Sequence, residues 1–129
     1  MSFILVPQNG EDVQVNGWNW RPILELLRAE SLITEENYQR MGAQGCGGQV
    51  NDEVARRIAD VIERTLIAMK PGERMLADLT VTTSPKPAYA FSPTTKLEDI
   101  DENDIYSASY EWLVRFKDFC RSSGGFKVV

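Results

Sequence analysis

The sequence predicts an α+β fold, in which two or three main helices pack on a small, mostly antiparallel sheet. Apolar residues alternate near the N-terminus, at Val13 and Val15, next to turn-forming residues. Later segments instead repeat apolar residues with helical spacing, and glycine or proline separates them. The 129 residues fit one domain, residues 1–129, which is long enough to build a hydrophobic core without a metal or a disulfide.

The N-terminal segment predicts a β-hairpin. Residues 3–6 form a short apolar run, residues 8–11 have turn composition, and residues 13–15 alternate. Two further strands are expected, one over residues 75–83 and a closing one at residues 126–129.

The first two helices are expected at residues 20–30 and Glu35–Met41. Asn19 and Thr34 are the predicted N-caps, because a side-chain oxygen there accepts a hydrogen bond from an N–H group that has no partner within the helix. Pro22 suits the first turn of the first helix, where its missing N–H costs nothing.

The strongest helical pattern follows Asn51, its predicted N-cap, and ends before Pro71. The final helix is expected at about residues 104–122, with Ser109 on its apolar stripe and Gly124 just beyond its end.

Negative charge is concentrated at one place in the chain. Fourteen Lys and Arg residues stand against nineteen Asp and Glu, which gives a formal net charge of −5. Residues 97–104 contain five acids and no base, so they account for the whole imbalance. The negative electrostatic potential around such a run repels nucleic acid and attracts a basic protein. The alternative interpretation is a solvated segment whose acids stabilise the start of the final helix.

A proline-rich stretch with two aromatic residues, Tyr89 and Phe91, precedes the acidic run. A proline-stiffened segment of this kind is typical of a recognition loop, and the alternative is that it folds down onto the sheet. Together the two stretches form a connection at about residues 84–104, which we predict to bind a basic protein partner. The predicted partner-binding residues are Tyr89, Phe91, Glu98, Asp99, Asp101, Glu102 and Asp104.

No residue is predicted to act in catalysis or to hold a cofactor or metal. Asp99, Asp101 and Asn103 match the start of a calcium-binding loop. However, Asp104 stands where that loop needs glycine, and Tyr110 where it needs glutamate. A calcium-sensor loop is therefore excluded, and weak cation binding stays open.

Four glycines between residues 42 and 48 precede the strongest helix. Their spacing matches neither a Walker loop nor a dinucleotide fingerprint, so we expect a tight connection with positive φ rather than an anion site. Cys46 lies in this loop, but a nucleophilic cysteine usually needs a base and the chain has no histidine. Cys120 is expected in the core, and a disulfide between the two cysteines stays open.

The chain shows no targeting or membrane-spanning pattern. Its N-terminal apolar run lacks a basic leader, and no stretch approaches the ~18 apolar residues of a membrane span. We therefore expect a cytoplasmic protein with reduced thiols and no membrane partner. Nucleic acid is also an unexpected partner, because Arg56, Arg57 and Arg64 share their helix with four acids.

Two stretches resemble a family of small uncharacterised bacterial proteins. One is GCGGQVNDEVARRIADVIERTL at residues 45–66, and the other is FKDFCRSSGGFKV at residues 116–128. The WNWRP segment at residues 18–22 fits the same pattern more loosely. The resemblance covers about a third of the chain. It implies a single domain but no assigned activity, and it carries over no catalytic residue.

Three functions from different classes are consistent with these features. The favoured one is a non-enzymatic, acidic protein-binding module, such as an inhibitor or an immunity-type antidote of a basic partner. The second is a small enzyme that uses carboxylates, with or without a divalent metal. The third is a structural or self-assembling module that pairs through a sheet edge or the tryptophan region. The oligomeric state stays open.

Overall fold

A computed structural model of the chain describes residues 2–43, 45–84 and 106–129. Within these ranges, two antiparallel sheets and four helices form the α+β fold that the sequence predicts. The strands are β1 (Ser2–Pro7), β2 (Val13–Asn16), β3 (Gln49–Asn51), β4 (Arg74–Leu76), β5 (Val81–Thr82), β6 (Ser107–Ser109) and β7 (Gly125–Val128). The helices are α1 (Gly17–Ala29), α2 (Glu35–Met41), α3 (Asp52–Ile67) and α4 (Tyr110–Ser123).

The first sheet has four strands in the order β2-β1-β7-β3, and each neighbouring pair is antiparallel. The predicted N-terminal hairpin is confirmed as β1 and β2, with Phe3 opposite Val15. Phe3 and Leu5 are buried, whereas Ile4 between them is 41% exposed. The sheet thus has one face on the core and one face toward solvent, as the alternating pattern predicts.

The side chain of Asn37 closes the edge of this sheet at β3. Its Nδ2 donates to the carbonyl oxygen of Gln49 at 2.9 Å, and the N–H of Gln49 donates to its Oδ1 at 3.3 Å. The amide of one side chain therefore takes the place of a neighbouring strand. The backbone N–H and carbonyl of Gln49 are therefore not available to pair with a further strand at this edge.

The second sheet has three strands in the order β5-β4-β6. The expectation of one strand over residues 75–83 is wrong, because a turn divides this stretch into β4 and β5. Leu79 has φ 72°, which a strand does not allow, and the carboxylate of Asp78 accepts hydrogen bonds from the N–H and hydroxyl of Thr80. The strand β6 was not predicted, and its three residues pair with β4.

The predicted N-cap of α1 is also wrong. The helix begins at Gly17, and Asn16 is its cap, with Oδ1 accepting from the N–H of Asn19 at 2.9 Å. Asn19 has another role, since its Oδ1 accepts from the N–H of Ser109 at 3.2 Å. That bond ties α1 to β6.

The predicted starts of the other three helices can be compared with the structure in the same way. Thr34 and Asn51 cap α2 and α3 as predicted. The described part of the last helix, α4, begins at Tyr110 rather than near residue 104, because Ser109 ends β6 and caps the helix instead of lying on its stripe. Gly124 follows α4 with φ 71°, as expected for a helix end.

A continuous hydrophobic core joins the helices to both sheets. The ring of Phe116 lies at its centre, edge-on to Trp20 at 5.6 Å and to Phe126 at 5.9 Å. On the surface, Arg121 of α4 bridges α3 through Asp60 at 3.1 Å and Glu63 at 2.6 Å. None of the helices in the described ranges combines the length and the apolar character that a bilayer span requires.

Candidate functional site

All of the predicted partner-binding residues fall between residues 85 and 105, outside the described residues. They are Tyr89, Phe91, Glu98, Asp99, Asp101, Glu102 and Asp104. The structure describes the chain on both sides of this stretch. On one side the carbonyl of Ser84 accepts from Nε of the buried Arg74 at 2.8 Å, and on the other Tyr106 leads into β6. Both flanks therefore join the second sheet.

A groove of about 460 Å³ lies between the start of α1, the end of α2 and Tyr106. This volume lies within the range of about 300–1,000 Å³ that is usual for ligand pockets. Five of the eleven residues that line the groove are aromatic. The lining residues are Phe3, Gly17, Trp18, Trp20, Arg21, Leu24, Tyr38, Gln39, Gly42, Ala43 and Tyr106. We define these eleven residues as the aromatic groove.

One wall of the aromatic groove is built from three side chains in contact, those of Trp18, Tyr106 and Arg21. The rings of Trp18 and Tyr106 lie 5.1 Å apart between centroids, and both are half-buried. The guanidinium of Arg21 lies 4.7 Å from the centroid of the Tyr106 ring. This spacing is typical of a cation–π contact, which holds the ring against α1.

The deeper part of the groove is held by Trp20. Its ring is 1% exposed and contacts Phe3 at 6.3 Å between centroids. Its Nε1–H donates to the carbonyl of Met41 at 2.9 Å. This bond joins α1 to the end of α2, so the two helices that flank the groove are fixed relative to each other.

The opposite wall is held by a polar network around Tyr38. Its hydroxyl donates to Oε1 of Glu25, and the guanidinium of Arg28 lies 4.6 Å from its ring centroid. Arg28 also pairs with Glu35 at 3.2 Å. Partial burial, followed by the hydrogen bond to Glu25, raises the pKa of Tyr38 above its ordinary value. Tyr38 is therefore neutral at physiological pH.

Three small residues, Gly17, Gly42 and Ala43, line part of the groove. A Cβ at Gly42 would lie 3.4 Å from Cδ1 of Leu24 and 3.3 Å from the carbonyl of Tyr38. Larger residues here would narrow the space between α1 and α2.

The described residues show no arrangement typical of catalysis or metal binding. No three His, Cys, Asp or Glu side chains among them lie close enough together to hold a metal ion. Their carboxylates are all at least partly exposed. Chemistry that needs two carboxylates in an apolar setting therefore has no candidate pair in the described ranges.

Both cysteines are free thiols, which resolves the disulfide that the sequence left open. Cys120 is buried in the core as predicted, and burial raises its pKa. Cys46 is exposed in the glycine loop, where Gly45 and Gly47 have φ 80° and 72°. The expected tight connection with positive φ is confirmed.

Two of the three arginines of α3 are paired with acids of the same helix, and the third, Arg64, lies 3.9 Å from Glu30 at the end of α1. Arg56 contacts Asp52 at 3.2 Å, and Arg57 contacts Glu53 at 2.7 Å. These pairs place both signs of charge on one surface. The arrangement is unlike the single-sign basic patch that is typical of nucleic-acid binding.

Sequence reasoning missed the aromatic groove. The tryptophan region was considered only as a surface for self-assembly, and Trp18 and Trp20 were not connected to Tyr38 or Tyr106. The one signal in the sequence that could have indicated this groove is the pair of tryptophans that follows Gly17. The sequence contains nothing that indicates which distant aromatic residues meet there.

Comparison of the chain with protein-family models, with curated proteins and with solved structures gave no match.

Proposed function

We propose that this chain is a non-enzymatic protein-binding module that captures a basic partner, as an inhibitor or an immunity-type antidote would. The observation that carries the proposal is the position of the acidic run next to the aromatic groove along the chain. Asp104, the last acid of the run, precedes Tyr106 by two residues, and Tyr106 is a wall of the groove.

The two parts support binding in different ways. Five acids with no base among residues 97–104 attract a basic protein from a distance and accelerate association. An aromatic groove instead supplies short-range contact, since buried aromatic anchors contribute much of the free energy of protein–protein binding. A module with both features needs no reactive group.

Two observations favour this function over the alternatives. Against self-assembly through the β3 edge of the first sheet, the backbone N–H and carbonyl of Gln49 are already hydrogen-bonded to the side chain of Asn37. Against a carboxylate enzyme, the described carboxylates are all at least partly exposed to solvent, and several are paired with arginines. Acid–base catalysis by two carboxyl groups needs environments that push their pKa values apart, and solvated carboxylates lack such environments.

The test is a charge reversal in the acidic run. The variant Asp99→Lys, Asp101→Lys, Glu102→Lys should weaken capture of the basic partner by more than about tenfold at low salt, about 1.4 kcal/mol. The partner is first enriched on the tagged wild-type chain and identified by mass spectrometry. Its affinity is then measured by surface plasmon resonance at about 50 mM and about 300 mM NaCl.

A matched control makes the same change of net charge elsewhere. Glu11→Lys, Asp12→Lys, Asp118→Lys reverses three exposed acids outside the acidic run. This control should retain at least half of the wild-type affinity at low salt. Equal affinities for the wild type and the acidic-run variant, with no dependence on salt, would refute the proposed function.

A further inference from the structure

We propose that Asn9 is a site of spontaneous deamidation, which converts its carboxamide into a carboxylate, and that the fold protects Asn16 from the same reaction. Each of these asparagines precedes a glycine, Gly10 or Gly17. The backbone nitrogen of the following residue can attack the side-chain carbonyl carbon of an asparagine. A glycine at that position favours the attack, because it has no Cβ to hinder the approach or to restrict the backbone. The inference does not depend on the proposed function.

The reaction needs only the chain and water. The backbone nitrogen of Gly10 forms a bond to Cγ of Asn9, and the bond from Cγ to Nδ2 breaks. The side-chain nitrogen leaves as ammonia, together with the proton that the backbone nitrogen has given up. Water then opens the five-membered succinimide ring at either carbonyl, which yields aspartate or isoaspartate. Both products add one negative charge to a chain whose formal net charge is −5.

Asn9 and Gly10 lie in the exposed turn between β1 and β2. The backbone N–H of Asn9 donates to the carbonyl of Ser123 at 2.9 Å, but its carboxamide is hydrogen-bonded to none of the described residues. The N–H of Gly10 likewise has no partner among them. Gly10 has φ 98°, and nothing lies within 4 Å of the place where a Cβ would be. The attacking nitrogen and the attacked carbon can therefore approach each other without the loss of a hydrogen bond.

Asn16 is exposed as well, so its protection comes from hydrogen bonds and not from burial. Its Oδ1 accepts from the backbone N–H of Asn19 at 2.9 Å and from the Nδ2 of Asn19 at 3.2 Å. Gly17 is the first residue of α1, so the helix restricts its backbone. Attack on Cγ of Asn16 requires its carboxamide to turn away from Asn19, which breaks the N-cap. The same dipeptide is therefore reactive in the turn and protected at the start of the helix.

Ageing of the intact protein tests the proposal. The purified chain is incubated at physiological temperature and neutral pH, and samples are digested with a protease that cleaves after glutamate. Cleavage after Glu11 places the two asparagines in separate peptides. Mass spectrometry then follows the gain of about 1 Da at each residue by fragmentation. In the folded protein, Asn9 should react about tenfold or more faster than Asn16.

The same measurement on the unfolded chain isolates the effect of the fold. In guanidinium chloride the cap of α1 is lost, so the two rates should agree within about threefold. Two variants supply a further comparison in the folded protein. Asn9→Gln should slow the mass gain at position 9 by about tenfold or more, since glutamine must close a larger ring. Asn16→Ser is the matched control, because a serine hydroxyl also caps a helix, and it should leave the rate at Asn9 unchanged.

Three results would overturn the proposal. The first is an equal rate at the two asparagines of the folded protein, or a faster rate at Asn16. The second is a ratio in guanidinium chloride as large as the ratio in the folded protein, because neighbouring residues would then explain the difference. The third is an unmodified Asn9 in the folded protein after a time in which the unfolded chain has reacted, because the turn would then be protected too.

Discussion

Two buried tryptophans differ in the environment of a single atom. Trp20 is 1% exposed and donates its Nε1–H to the Met41 carbonyl at 2.9 Å. Trp112 is 8% exposed, and its Nε1 finds no hydrogen-bond partner among the described residues. A buried donor without a partner loses its hydration and gains nothing in return, so the two indoles contribute differently to stability although both rings pack in one core.

This difference predicts unequal effects of the same substitution. Trp20→Phe should lower the free energy of unfolding by about 1–2 kcal/mol more than Trp112→Phe, because only the first leaves the Met41 carbonyl without its donor. Urea denaturation of both variants and the wild type measures the effect. Each variant serves as the control for the other, since both replace an indole by a phenyl ring. Equal losses would show that the hydrogen bond of Trp20 contributes nothing.

At the scale of elements, α1 and α2 are held together by side chains rather than by sheet pairing. The hydroxyl of Tyr38 in α2 donates to Glu25 in α1, and Arg28 of α1 lies over the Tyr38 ring. The seven-residue α2 is too short to be stable alone. These contacts, together with the bond from Trp20 to Met41, therefore position the wall of the groove that α2 supplies.

The raised pKa of Tyr38 makes the contribution of this network dependent on pH. A pKa that is higher in the folded state stabilises the fold below the unfolded value, here 10.0, and the contribution is lost as pH rises through the folded value. Tyr38→Phe should therefore lower the free energy of unfolding by about 1 kcal/mol near neutral pH. Above pH 10 the difference between wild type and variant should narrow.

Urea denaturation at neutral and at alkaline pH tests this expectation. All other ionisable side chains are common to the two proteins, so their effects cancel in the difference. A difference that stays constant into the alkaline range would show that ionisation of Tyr38 is not coupled to folding.

At the scale of the whole molecule, Gly125 is the point where β7, β3 and the start of α3 meet. It has φ 106°, and a Cβ there would lie 2.8 Å from the carbonyl oxygen of Val50 and 3.1 Å from the N of Asp52. The positive φ excludes a side chain because any L-residue would be strained there. The short distances exclude it because a Cβ would clash with main-chain atoms that cannot move alone.

Gly10 offers a matched comparison, because its φ is 98° but a Cβ there would meet nothing within 4 Å. Gly10→Ala should cost about 1–2 kcal/mol from backbone strain alone. Gly125→Ala should cost about 1–3 kcal/mol more, because the chains of β7 and β3 must also separate. Thermal and urea denaturation measure both. Similar losses for the two variants would mean that the close approach at Gly125 relaxes without cost.

The helix caps show how far local sequence reasoning extends. Thr34 and Asn51 were predicted correctly, and the side-chain oxygen of each accepts a hydrogen bond from the N–H three residues later. At α1 two asparagines compete, and Asn19 is not the cap because it binds Ser109, ninety residues further on. Ser109 in turn was assigned to a helix, since its pairing with Arg74 is not visible in the local pattern.

The sequence by itself determined the fold class, the N-terminal hairpin, the position of α3 and the place of the negative charge. All of these depend on periodicity, capping and composition, which act between residues close together in the chain. The tertiary structure alone decided the division of residues 75–83, the short strands β3 and β6, and the aromatic groove. These depend on contacts between residues far apart in the chain, such as Trp18 with Tyr106, whose free energy is gained only when the whole core has formed.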